Sequence, residues 1–240
     1  MEDKLIDRVA WTSHDLIGRS VRGIILRFAG LGSMDMKVGG ADPMELEWSN
    51  FGGLVVHPFH EPWAWMNPPT QRFVDELVDA LLLRHHLPTD TPVIATGGSM
   101  GGHGALVYSR YSRHRVIACL ALWPVCNAVF HYSERVDIPR TMHHAFGSYG
   151  DIQPALLRHS PLHLVDEMPD IPYLIVHGQQ DQAVSKSAHS DKFVAAMRAK
   201  GRRVEFREVA NLGHGGPMDY ATYRRIVDFV AERLTATSEK

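Results

Sequence analysis

"VIATGGSMGG" (residues 93–102) runs from an apolar, β-branched stretch straight into four glycines around one serine, Ser99. Glycine is needed where φ must be positive or where another segment of chain comes very close. Three devices use such a knot: a phosphate cradle, a tight structural turn, or a turn that presents a nucleophile. A phosphate cradle of the G-x-x-x-x-G-K type needs a lysine after its last glycine, and none follows here. The dinucleotide pattern G-x-G-x-x-G fails too, because Ser99 stands where its second glycine belongs. G-x-S-x-G fits, as Gly97-Gly98-Ser99-Met100-Gly101. Between a strand and a helix, that pattern exposes the serine hydroxyl above the edge of a sheet. The small residues two before and two after the serine let strand and helix nearly touch.

The flanking sequence supplies the strand and the helix. Short apolar runs predict strands at 21–30, 52–59, 91–98, 115–124, 172–178 and 203–209. Residues 102–112 read as the helix after Ser99, and 186–201 and 220–234 as two more. In 70–87, Phe73, Val74, Leu77, Val78, Leu81 and Leu82 recur at helical spacing, with Pro88 beyond the end. Strands with near-continuous apolar cores, separated by helix-length segments, imply a mostly parallel sheet covered by helices on both faces. The fold class is α/β. With no composition shift, repeat or long linker, residues 1–240 read as a single domain. The stretch 125–170 is too long for a plain crossover and is rich in histidine and aromatics, so it is expected to fold over the strand ends as a small lid.

Bulk properties exclude several classes of protein. The composition, 45% hydrophobic and 22% charged, is that of a globular chain with a sizeable core. A formal net charge of −2 gives no electrostatic case for nucleic acid or an anionic membrane. No apolar run approaches the ~20 residues of a membrane span. The N-terminal "MEDKLIDRVAWTSHD" is too polar for a signal peptide. Cys119 lies in the apolar run "VIACLALW" and reads, with Cys126, as a free thiol. The expectation is a soluble, cytoplasmic protein. Its oligomeric state is left open.

A serine hydroxyl is a poor nucleophile until a base takes its proton, and the base needs an orienting carboxylate. In G-x-S-x-G proteins the partners follow in the order Ser, then Asp or Glu, then His. "LIVHGQQDQAV" puts Asp181 in the loop after one strand, and "FREVANLGHGG" puts His214 in the loop after the next. All three groups then follow the C-terminal ends of parallel strands, the edge where sites form in such sheets. The chain holds 15 histidines and Asp181 has a second reading as a helix cap, so order and topology carry the assignment. Should the acid lie elsewhere, Asp151 and Asp166 are the next candidates. An oxyanion needs two donors: the N–H of Met100, next after the serine, and the N–H of Leu31 in "FAGLGS".

"GGSMGG", then "SPLHLVDEMPDIPYLIVHGQQDQAV", a helix and "VEFREVANLGHG" resemble the α/β-hydrolase superfamily, and within it the catalytic domain of the prolyl oligopeptidase group. The resemblance implies Ser99 as nucleophile, Asp181 as orienting acid and His214 as base. Peptidases of that group carry a large N-terminal β-propeller. Only residues 1–20 precede the first predicted strand here, which favours a free-standing esterase. The expected function is hydrolysis of a small carboxylic ester through an acyl-enzyme, without cofactor. A peptidase or amidase, an acyltransferase and a non-catalytic interaction protein are the alternatives. No nucleic-acid or membrane partner is expected.

Two further features bear on metal and substrate binding. His57 with His60 and His143 with His144 each lack a clear third ligand, and H-E-x-x-H is absent, so no metal site is expected. "FHEPWAWMN" (59–67) offers Phe59, Trp63 and Trp65, which either line a substrate pocket or anchor the loop to the core. The same two readings apply to Trp123, Phe130, Tyr132 and Phe146.

Overall fold

The apolar runs assemble into one seven-stranded sheet of order β1-β3-β2-β4-β5-β6-β7. The strands are β1 (Ala10–Thr12), β2 (Gly23–Phe28), β3 (Gly53–Pro58), β4 (Val93–Gly98), β5 (Val116–Leu122), β6 (Tyr173–Gly178) and β7 (Val204–Val209). The structure is a computed structural model that describes residues 1, 3–18, 20–33, 37, 40–147 and 150–236. Pairing is parallel from β3 through β7, and β1 alone runs antiparallel, against β3.

Nine helices are described: α1 (Asp3–Val9), α2 (Pro43–Asn50), α3 (Pro68–Arg84), α4 (Met100–Tyr111), α5 (Ala128–Glu134), α6 (Ile138–Phe146), α7 (Ile152–Arg158), α8 (Ser190–Ala199) and α9 (Tyr220–Ala236). Helix α3 shows why they dock. Asn67 caps it by accepting the Thr70 N–H at 3.0 Å, Pro68 fits its first turn, and Val74, Leu77, Val78 and Leu81 bury one face. Strand side chains alternate between faces. Ile24 and Leu26 join the core under α3, α4 and α8, while Ile25 joins Trp48, Ile226 and Phe229 on the face covered by α2 and α9. At about 1.5–3 kcal/mol per fully buried large side chain, these two cores hold helices and sheet together.

All six predicted strands and all four predicted helices are present. The sequence reading did not anticipate α1, β1 or α2. Strand β1 is three residues long, too short to show a period. Helix α2 sets Met44, Leu46 and Trp48 two residues apart, buries Glu45 and leaves Leu46 exposed, so its apolar residues define no helical face.

Residues 125–170 hold α5, α6, α7 and the 3-10 helix Pro161–Glu167. Their apolar side chains form a third cluster, in which Val125, Ile138, Met142, Phe146 and Leu156 pack with Trp65 and Met100. Cys119 and Cys126 are buried and unpaired. Among the described residues, no helix is long and apolar enough to cross a membrane.

Candidate active site

Strand β4 ends at Gly98 and α4 begins at Met100, which leaves Ser99 alone to make the turn. It does so with φ 57° and ψ −122°, a left-handed conformation that costs a non-glycine residue about 1–3 kcal/mol. The surrounding glycines are required by close backbone contact. A Cβ on Gly101 would lie 2.1 Å from the Phe28 carbonyl oxygen, and one on Gly97 would lie 2.5 Å from the Gly101 carbonyl. The end of β2, the end of β4 and the start of α4 thus touch backbone to backbone. That contact carries the loop after β2, with Gly30 and Leu31, to the side of Ser99.

Asp181 and His214 follow β6 and β7, as expected, and meet Ser99 across the sheet edge. The Ser99 hydroxyl donates to His214 Nε2 over 2.8 Å, and His214 Nδ1–H donates to Asp181 Oδ2 over 2.7 Å. The His214 side chain is 26% exposed, while the Asp181 carboxylate is fully buried. Burial alone would raise the Asp181 carboxyl. Hydrogen bonds from His177 and His214, with the Val184 N–H, outweigh it and hold the group well below the ordinary carboxylate range. An ionised Asp181 fixes the proton on Nδ1, so Nε2 is the free acceptor that a base requires. The two fallback acids are engaged elsewhere: Asp151 caps α7 and Asp166 pairs with Lys200.

Met100 is the first residue of α4, where a backbone N–H has no acceptor inside the helix. Leu31 lines the same cavity as Ser99 and His214. This cavity, of about 1010 Å³, extends from Ser99 over the α2 face of the sheet, past Trp123, Met44 and Met218 to Arg27, Lys37, Asp42 and Trp48.

Trp123 lines the cavity, but Phe59, Trp63 and Trp65 do not. Trp65 is buried and donates its indole N–H to Thr141 Oγ1 at 3.0 Å, and Trp63 packs against Arg140 and His144. Both tie the 59–67 loop to α6. Their aromaticity reflects that packing, which buries large rings wherever a polar tip finds a partner. Phe146 is likewise buried, in the cluster formed with Ile138, Met142 and Leu156.

Two groups near the triad escaped the sequence reading. His177 on β6 is fully buried and its Nε2 lies 3.2 Å from Asp181 Oδ2. Glu134, at the end of α5, accepts from His131 Nδ1 at 2.6 Å, His189 Nε2 at 2.8 Å and the Ser185 N–H at 2.8 Å. It clamps α5 to the loop that carries Asp181. Burial would raise the Glu134 carboxyl, but these donors hold it far below its ordinary value. The three ligand-type atoms of His131, Glu134 and His189 lie within 4.8 Å of one another. The donor set does not suit a cation, however. His189 Nδ1 accepts the Asn127 N–H at 3.0 Å, so its proton is on Nε2, the nitrogen a metal would need. The histidine pairs weighed in the sequence are also occupied. His57 binds Glu45, His60 accepts from the Ala29 N–H, His143 meets Tyr132, and His144 meets Glu61.

A serine, histidine and aspartate in hydrogen-bonded series at the C-terminal edge of this sheet define an α/β-hydrolase, and so a serine hydrolase. Residues 73–237 match the sequence pattern of the prolyl oligopeptidase family, and the chain belongs to that family. Solved structures share the fold. A truncated carbohydrate esterase from gut microbiota matches with a TM-score of 0.71 at 16% identity, covering 94% of this chain and 96% of that one. S-formylglutathione hydrolase from Agrobacterium tumefaciens matches with a TM-score of 0.66 at 20% identity, covering 96% and 88%. Dipeptidyl peptidase 4 from Porphyromonas gingivalis matches with a TM-score of 0.70 at 18% identity; 93% of this chain aligns, but it spans only 33% of that chain.

Proposed function

We propose that this serine hydrolase cleaves small carboxylic esters through an acyl-enzyme. The observation that carries the reading is the Ser99–His214–Asp181 relay opening on the cavity. Ser99 Oγ attacks the ester carbonyl as His214 Nε2 takes its proton. Asp181 stabilises the imidazolium and fixes its tautomer. The N–H groups of Met100 and Leu31 receive the oxyanion. His214 then protonates the leaving alcohol, and water releases the acid by the same route in reverse.

An ester substrate is supported by the likeness to the carbohydrate esterase, which this chain matches over 96% of that protein's length. The second reading, a peptidase or amidase with the same relay, is supported by the family match and by the likeness to a third of dipeptidyl peptidase 4. A panel of p-nitrophenyl esters of increasing chain length, run beside aminoacyl anilides and a proline-containing peptide, separates them. Esters turning over far faster than matched amides is the expected result. Equal rates on the proline peptide would replace the esterase reading with the peptidase one.

A further inference from the structure

The end of the cavity remote from Ser99 is built around a buried carboxylate. Glu45 is fully buried and accepts from Arg27 Nη1 at 2.5 Å, His57 Nε2 at 2.6 Å, the Asp42 N–H at 2.8 Å and the Lys37 ammonium. Asp42, the only acidic residue lining the cavity among those described, is spent as well. Its Oδ1 takes the Glu45 N–H at 3.0 Å and its Oδ2 takes Arg27 Nη1 at 2.6 Å. The lining cations are matched in charge as well: Arg27 and Lys37 face Glu45 and Asp42, and Arg135 forks onto Asp137.

Donors are left over. Only Nη1 of Arg27 has an acceptor among the described residues, so its Nε and Nη2 are open. The indole N–H of Trp48, which lines the same end and is 1% exposed, also has no acceptor there. An unpaired buried donor costs about 1–3 kcal/mol, so a site of this kind is completed by a ligand that brings acceptors. The guanidinium fork matches a carboxylate in shape and charge.

We propose that Arg27 and Trp48 form a carboxylate-binding subsite, and that the ester cleaved at Ser99 carries a free carboxylate at the far end of its acyl chain. This rests on the esterase reading above and names its substrate class. Arg27 pairs in register with Thr96, three residues before Ser99. At about 3.3 Å per residue the two levels are roughly 10 Å apart, which, less the reach of the arginine side chain, suits half-esters of short diacids.

The test compares p-nitrophenyl hemisuccinate and hemiglutarate with p-nitrophenyl butyrate and valerate, whose leaving group is the same. The half-esters should show kcat/KM about 10- to 100-fold higher, with the gap narrowing as salt rises. Arg27→Lys keeps a charge for Glu45 but loses the fork, and Trp48→Phe keeps the ring but loses the N–H. Each should shrink the half-ester to neutral-ester ratio, Arg27→Lys the more. Neutral esters cleaved as well as half-esters by the wild type, or a ratio unmoved in a folded Trp48→Phe protein, overturns the subsite. If neither ester is cleaved, the esterase reading has failed, and calorimetry with glutarate on the Ser99→Ala protein decides the subsite alone. Binding that Trp48→Phe weakens supports it; no binding overturns it.

Discussion

Asp181 and Glu134 are two carboxylates in near-identical dress. Each is largely buried, each accepts from two histidines and backbone N–H, and each is held far below its ordinary pKa by those donors. They lie on either side of one loop, which starts at Asp181 and gives Ser185 N–H and His189 to Glu134. What separates them is the far side of the histidines. His214 turns its second nitrogen to a strained serine at the mouth of a cavity. His189 turns its second nitrogen to a backbone N–H and ends the chain of hydrogen bonds. A perturbed carboxylate therefore marks a site only when its proton relay leads to something that reacts.

The largest effect that follows is at Ser99. Ser99→Ala should lower kcat by about 10⁶-fold, measured with p-nitrophenyl esters, and abolish fluorophosphonate labelling without lowering Tm. Labelling at another serine would remove the basis for setting the two clusters apart. Asp181→Asn comes next, with kcat down about 10⁴-fold because the amide favours the wrong imidazole tautomer. Glu134→Gln should act the opposite way round, costing about 1–3 kcal/mol of stability in urea titration while kcat stays within tenfold. A loss of thousands-fold in kcat at unchanged stability would make Glu134 part of the chemistry.

Acid should reveal the shared electrostatics of both regions. Burial pushes His103 down to about 3 and lowers His131 as well. Between the unfolded value near 6.5 and these folded values, only the unfolded chain takes up the proton. Stability should therefore fall as pH drops below about 6.5, by up to about 1.4 kcal/mol per pH unit for each such histidine. Asp181 and Glu134 add a second loss as pH falls below about 4, where the unfolded chain takes up protons that the folded carboxylates still refuse. A Tm that is flat from pH 7 to 5 would contradict the buried neutral histidines. The smallest effect is a chelator's: EDTA should leave both Tm and ester turnover unchanged. A Tm drop restored by zinc would turn the Glu134 cluster into a metal centre.

Strand period, helix period and the strict order of Ser99, Asp181 and His214 are local or one-dimensional signals, and these were readable along the chain. The Glu134 clamp was half readable: His131 and Glu134 sit three apart, but His189 comes 55 residues later and nothing local points to it. The Arg27–Glu45 end of the cavity was hidden for a related reason. Glu45 sits in a helix with no apolar face, and its burial makes sense only once Arg27, Lys37 and His57 arrive from three other segments. Trp63 and Trp65 failed in the other direction. A cluster of aromatics in a loop has the same composition whether it faces a ligand or a neighbouring helix, and only the α6 contacts tell which.

Met100 belongs to two structures at once. Its backbone opens α4 and offers the N–H beside Ser99, while its side chain is sunk among Val125, Ile138, Met142 and Phe146. Lifting residues 125–170 away would strip that side chain and its neighbours of their packing, at about 1.5–3 kcal/mol for each large one exposed. The segment is thus a roof joined to the frame rather than a door. Swinging this segment aside would therefore loosen the very residue whose backbone opens the helix after Ser99.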